Sequence, residues 1–114
     1  MNLNQITVPV IDIEKSIEFY QLLGLNLIVR SSQDYARFEC KEGSSTFSIH
    51  RVNELPVSEG IWIYFEEKNL DAVVKQLQQK GIEFEELPKD QPWLWREARL
   101  KDADKNQNIL YYAG

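Results

Sequence analysis

From Gln5 to Ile11 polar and apolar residues alternate in a stretch rich in Val, Ile and Thr, the pattern of a strand with one buried face. Asp12 ends it, and its carboxylate suits a helix N-cap. Ile13, Ile17 and Tyr20 follow at four- and three-residue spacing, and Gly24 can take the left-handed turn that closes a helix, so the spacing predicts a short amphipathic helix over 13–23. Leu25–Ser31, Tyr35–Lys41 and Thr46–Val52 read as three strands, separated by the turn-like Ser32-Gln33-Asp34 and Glu42-Gly43-Ser44. After a polar linker at 53–59 carrying Pro56, the order begins again. A strand at Ile61–Glu67 leads to Asn69 as a cap, a helix over 70–80 with Val73, Val74 and Leu77 on one face, and Gly81. Ile82–Leu87, Leu94–Lys101 and Gln107–Tyr112 supply three further strands.

The repeat has a fixed offset. Asp12 and Asn69, Ile13 and Leu70, Ile17 and Val74, Tyr20 and Leu77, and Gly24 and Gly81 are each 57 residues apart. Coincidence at caps and core positions points to an internal duplication. Residues 1–114 are therefore expected to form a single α+β domain of two tandem βαβββ units, one over 1–55 and one over 60–114. One helix covers one face of a four-stranded sheet, so the curved mixed sheets are expected to enclose a central cleft with their open faces.

Strand alternation assigns side chains to that cleft. Ile6, Val8 and Val10 should pack on the first helix, leaving Gln5, Thr7 and Pro9 on the other face. In the second unit Ile61, Ile63 and Phe65 should lie under the helix. Trp62, Tyr64 and Glu66 then face the cleft, and the same parity adds Ser48, His50, Trp93, Trp95, Glu97, Arg99, Ile109 and Tyr111.

Composition narrows the function. Hydrophobic residues make up 43% of the 114, enough for a packed core. Thirteen Lys+Arg against eighteen Asp+Glu give a net charge of −5, which repels phosphate backbones and makes nucleic acid an unexpected partner. The sequence shows neither a signal peptide nor an apolar run near the roughly 20 residues that span a bilayer, so a soluble protein without a membrane partner is expected. The single cysteine, Cys40, supplies no internal disulfide, and a cytoplasmic location is the default. Its parity with Ala36 and Phe38 suggests burial as a small hydrophobe. No phosphate-cradling glycine loop, GxSxG elbow, CxxC or HExxH occurs.

The tandem repeat, with Val-Pro-Val-Ile-Asp-Ile-Glu-Lys-Ser-Ile-Glu-Phe-Tyr-Gln-Leu-Leu-Gly at residues 8–24, resembles the vicinal oxygen chelate superfamily of glyoxalase I, extradiol dioxygenases, fosfomycin-resistance enzymes and bleomycin-binding proteins. The stretch from Asp102 to Gly114 resembles that family's D-P-x-G-N turn and last strand, departing from it at Ala103 and Lys105, where Pro and Gly are usual. By this resemblance a divalent metal would be held from the first and last strands of each unit. Those positions fall on Gln5, Trp62 and Ile109, with His50 or Ser48 in the remaining strand. Trp and Ile cannot ligate a metal, so no metal and no cofactor are expected. The resemblance also implies a homodimer.

The stretch from Gln91 to Leu100 is the most distinctive, with two tryptophans at strand spacing and alternating charges. Trp62, Trp93 and Trp95 would either wall a planar ligand or pack as core. Arg37 and Glu39 echo Glu97 and Arg99 with signs exchanged, which suggests charge pairs. Glu83, Glu85 and Glu86 read as a solvated face. His50, the lone histidine, reads either as a general base or hydrogen-bond donor to a bound anion, or as a partly exposed strand residue. The expected function is metal-independent binding of a small molecule, one that sequesters an aromatic or amphipathic metabolite or drug. Trp62, Tyr64, Trp95 and Tyr111 would supply contact, and Glu97, Arg99 and His50 polar recognition. The alternative is a metal-dependent lyase, isomerase or dioxygenase of the same superfamily.

Overall fold

In the computed structural model of the chain, which describes residues 1, 3–58 and 60–114, β1 (Gln5–Val10) ends just before Asp12, whose Oδ1 accepts the Lys15 N–H at 3.1 Å and caps α1 (Ile13–Leu22). β2 (Asn26–Ser31), β3 (Tyr35–Glu39) and β4 (Thr46–Arg51) complete the first unit, Met1–Ser58. The second unit, Glu59–Gly114, repeats the order with β5 (Trp62–Glu66), α2 (Leu70–Gln79), β6 (Glu86–Asp90), β7 (Arg96–Lys101) and β8 (Gln107–Tyr112). The predicted pair of βαβββ units is observed.

Both helices end by the same device. Gly24 at φ 101° and Gly81 at φ 93° donate to Gln21 O and Gln78 O, while Leu25 and Ile82 donate to Tyr20 O and Leu77 O. Leu25 and Ile82 are buried directly after these turns, which fixes each helix against its sheet. The beginnings differ, because Asn69 stands at the cap of α2 but its side chain makes no capping bond. Glu67 Oε1 instead accepts the Asn69 N–H at 3.2 Å.

The sheets run β1-β4-β3-β2 and β5-β8-β7-β6, with β1/β4 and β5/β8 parallel and the remaining pairs antiparallel. In the first unit Tyr20 of α1 is fully buried against the rings of Phe38 and Phe47, with centroids at 6.0 and 4.6 Å, and Val8, Val10, Ala36 and Ile49 complete the core. In the second, Leu70, Val74 and Leu77 are buried with Ile63, Ala98, Leu100 and Leu110. Arg96 at the start of β7 reaches Asp71 in the first turn of α2 through Nε and Nη2, at 2.9 and 3.1 Å, and so marks the helix side of the sheet. Ile6 and Ile61, expected under the helices, are over a third exposed; Ile6 is near the start of β1 and Ile61 just precedes β5, the edge strands of the two sheets.

Register corrects the sequence alignment of the repeat. Gln5 pairs with Thr46 and Trp62 with Gln107, so Thr46 and Gln107, 61 residues apart, take equivalent places. Arg37 opposes Ser48 as Arg99 opposes Ile109, so Arg37 matches Arg99 and not Glu97, and Tyr35 matches Glu97. The drift arises in the turn before β7. The strand expected from Leu94 begins only at Arg96, since Gln91–Trp95 folds as a turn in which Leu94 N donates to Gln91 O, Gln91 N donates to Trp95 O, and Leu94 takes φ 74°. The strand expected over Ile82–Leu87 likewise begins at Glu86, because Ile82 is held by the helix-ending turn.

Asp102 organises the turn before β8. Its Oδ1 accepts the N–H groups of Asp104 and Asn106, and its Oδ2 accepts the Asn106 amide, all at 2.9 Å, while Lys105 adopts φ 66°. A left-handed lysine is strained by about 1–2 kcal/mol relative to glycine, of which glycine's greater unfolded-state freedom cancels about half. Lys105→Gly should therefore raise stability by about 0.5 kcal/mol, and Asp102→Ala should lower it by about 3 kcal/mol, both read from urea midpoints.

Candidate functional site

Alternation along β5 sends Ile63 and Phe65 toward α2, which leaves Trp62, Tyr64 and Glu66 on the helix-free face. Across the sheet, Tyr64 neighbours Ile109 and then Arg99, and Glu66 neighbours Tyr111 and then Glu97. Six of the seven predicted binding residues, Trp62, Tyr64, Trp95, Glu97, Arg99 and Tyr111, thus belong to the second unit. Five stand on this face by register, and Trp95 joins it from the β6–β7 turn by stacking on Tyr111, centroids 4.5 Å apart and planes at 17°. Tyr64 meets both rings edge-on, at 6.3 Å from Trp95 and 5.9 Å from Tyr111. His50 lies in the first unit on β4, exposed and in register with Tyr35 and Pro9.

The charges are locked into the same cluster. Glu97 is fully buried, and its two oxygens are divided between Trp93 Nε1 at 2.7 Å and Arg99 Nη2 at 3.2 Å. The Arg99 guanidinium lies 5.4 Å from the centroid of the Trp62 ring, a cation–π contact. Trp93, read from sequence as a wall or core ring, therefore also positions the buried carboxylate. Burial, reinforced by the charge of Glu66, pushes the Tyr111 phenol above its ordinary pKa and keeps it a neutral donor at physiological pH. Trp62, Tyr64 and Trp93 remain about half exposed, so the face presents flat apolar surface beside fixed polar groups.

The equivalent face of the first unit is polar. The Ser48 hydroxyl, fully buried, bonds to Thr7 and receives the Gln5 amide at 3.4 Å, while Gln5 Oε1 accepts from Thr46 at 2.8 Å. Arg37 Nε donates to the Tyr35 phenol oxygen at 2.9 Å, so the charge pair with Glu39 expected from sequence does not form. Burial acts to raise the Tyr35 pKa, but hydrogen bonds from Ser48, Arg37 and Gln5 and the Arg37 charge outweigh it and hold the phenol below its ordinary value. Tyr35 was not a sequence candidate. The signal was present as Tyr35 and Arg37 at the spacing of Glu97 and Arg99, but the longer β6–β7 turn hid the correspondence. Cys40 is half-buried and burial raises its pKa, which disfavours a reactive thiolate.

A family model of the Glyoxalase/Bleomycin resistance protein/Dioxygenase superfamily matches residues 2–110. The chain belongs to that superfamily. Among solved structures, the antibiotic-binding protein TnmS3 from Streptomyces shares 24% identity at TM-score 0.81, with 100% of this chain and 97% of that one covered. A bleomycin resistance determinant encoded on the transposon Tn5 shares 18% at TM-score 0.81, with 98% of each chain covered. A bleomycin-binding protein complexed with bleomycin shares 17% at TM-score 0.79, again with 98% of each covered. Among curated proteins no sequence matches.

Register settles which positions correspond to the metal-ligand places that the superfamily resemblance implies. Ile109 opposes Tyr64 as Ser48 opposes Thr7, so the fourth place is Ser48 and His50 lies two residues beyond it. Gln5 and Ser48 are already bonded to each other and to their neighbours, Trp62 lies against Arg99, and Ile109 is apolar and fully buried. Trp62 and Ile109 offer no metal ligand, and Gln5 and Ser48 offer only neutral oxygen or nitrogen donors, so the residues at these places do not fit the ligand set of a divalent ion. Among the described residues no group of three His, Cys, Asp or Glu side chains is placed to hold a metal.

Removing one partner of the buried pair should be costly. Arg99→Met is expected to lose about 3 kcal/mol, because it removes one partner of a buried ion pair and leaves the Glu97 carboxyl with Trp93 as its remaining donor. Adding Glu97→Gln should restore part of that loss, measured by urea unfolding of the single and double variants.

Proposed function

We propose that this protein is a metal-independent small-molecule-binding protein that sequesters an aromatic or amphipathic metabolite or drug on the helix-free face of its second unit. The observation that carries this reading is the joined Trp95, Tyr111 and Tyr64 ring cluster beside the Trp62–Arg99–Glu97–Trp93 chain of contacts. Such rings contribute affinity through area and stacking, while Arg99, held in place by the buried Glu97, selects orientation. Trp62, Tyr64, Trp95 and Tyr111 make the ligand contacts in this reading. The bleomycin-binding and antibiotic-binding proteins with the same fold support the ligand class. The absence of a donor set at Gln5, Ser48, Trp62 and Ile109 supports binding without a metal. No helix among the described residues is long and apolar enough to cross a membrane. A cytoplasmic homodimer is part of the same proposal and rests on the sequence reading.

A thermal-shift screen of metabolites and drugs supplies ligands for the test. Trp95→Ala and Trp62→Ala, each checked for folding, should weaken a hit by about ten- to hundredfold, the equivalent of roughly 1–3 kcal/mol of lost aromatic burial. Equal affinity in parent and both variants would show the rings to be packing only. Sedimentation should give twice the mass of the chain. Native mass spectrometry after exposure to divalent ions should show no stoichiometric retention, and a retained ion would overturn the metal-independent reading.

A further inference from the structure

Arg37 and Arg99 occupy equivalent places in the two sheets, yet their charges are handled differently. Arg99 is neutralised by the buried carboxylate of Glu97. At the place equivalent to Glu97 the first unit has Tyr35, a neutral phenol, which accepts from Arg37 Nε at 2.9 Å. Arg37 is half-buried and, among the described residues, forms no ion pair, and its Nη groups make no hydrogen bond. Glu39, the one acid that follows it on the same face of β3, is exposed and forms no ion pair with it. A partly desolvated guanidinium without a counter-charge is unfavourable, and a bound anion would remove that penalty.

Hydroxyls surround this cation. Ser48, fully buried, stands opposite Arg37 in register, with Thr7 bonded to it, and Tyr35 is one step along the same face. We propose that Arg37, Tyr35 and the Ser48–Thr7 pair form an oxyanion site on the first unit that takes the carboxylate of a small organic acid. The two free Nη groups present a planar fork that matches a carboxylate's two oxygens, and a single cation suits a singly charged group better than a phosphate dianion. The same surroundings already favour negative charge on oxygen, since they hold the Tyr35 phenol below its ordinary pKa. This site is separate in sequence and in unit from the aromatic face, so either reading can fail without the other.

The test uses acetate, which has no ring to stack, with acetamide as the neutral isostere and sodium chloride holding ionic strength constant. Backbone and side-chain 1H–15N spectra should show saturable acetate shifts at Thr7, Tyr35, Arg37 and Ser48, with acetamide silent at the same concentrations. Arg37→Gln should weaken acetate binding by about tenfold or more, and Tyr35→Phe, which keeps the guanidinium, by about threefold. Trp95→Ala should leave it unchanged. The proposal is overturned if acetate gives no saturable shift, if shifts appear in the second unit alone, or if either first-unit variant that folds binds acetate as tightly as the parent.

Discussion

A four-stranded sheet has two faces, and each unit of this protein carries one ten-residue helix to cover them. The period of two along every strand therefore divides each sequence into a set that must suit a helix and a set that must suit something else. On the helix side the solution is the same twice. Aliphatic and aromatic side chains close a core under α1 and α2, and matched glycine turns return the chain to the sheet. The other face is where the two units part.

In the first unit that face is made tolerable by hydrogen bonding. Gln5, Thr7, Thr46 and Ser48 satisfy one another, and Tyr35 shares the proton-donating edge of Arg37. In the second, the equivalent positions hold Trp62, Tyr64, Gln107 and Ile109, and the polar content is concentrated in one buried acid held between an indole and a guanidinium. The repeated scaffold thus carries two chemistries. Rings give affinity for apolar, planar surface, whereas the hydroxyl-lined face selects by hydrogen bonds, and this division supports reading the second unit's face as the place where a flat ligand is held.

Much of this was legible in the sequence, for identifiable reasons. Asp12, Gly24 and Gly81 each satisfy a backbone demand that is local, so their roles survive folding unchanged. The aromatic parity of β5 and β8 was equally clear, because alternation needs no knowledge of partners. Register was the opaque part. The five-residue turn at Gln91–Trp95 carries two tryptophans at strand spacing, and Trp95 reaches its neighbours by stacking on Tyr111, a contact to a residue sixteen positions later. That misplacement made Arg37 and Glu39 look like the counterparts of Glu97 and Arg99 and concealed Tyr35. The capping bond expected of the Asn69 side chain does not form, and Glu67 accepts the Asn69 N–H.

The central claim is that the helix-free face of the second unit is a binding surface and its rings are more than filling. Incorporating 5-fluorotryptophan at all three tryptophans gives one 19F resonance for each of Trp62, Trp93 and Trp95. Titration with a ligand selected by thermal shift is predicted to move the Trp62 and Trp95 resonances saturably and together, with a common dissociation constant equal to that from the thermal shift. Resonances of Trp62 and Trp95 that stay fixed while the ligand saturates the protein would contradict the account.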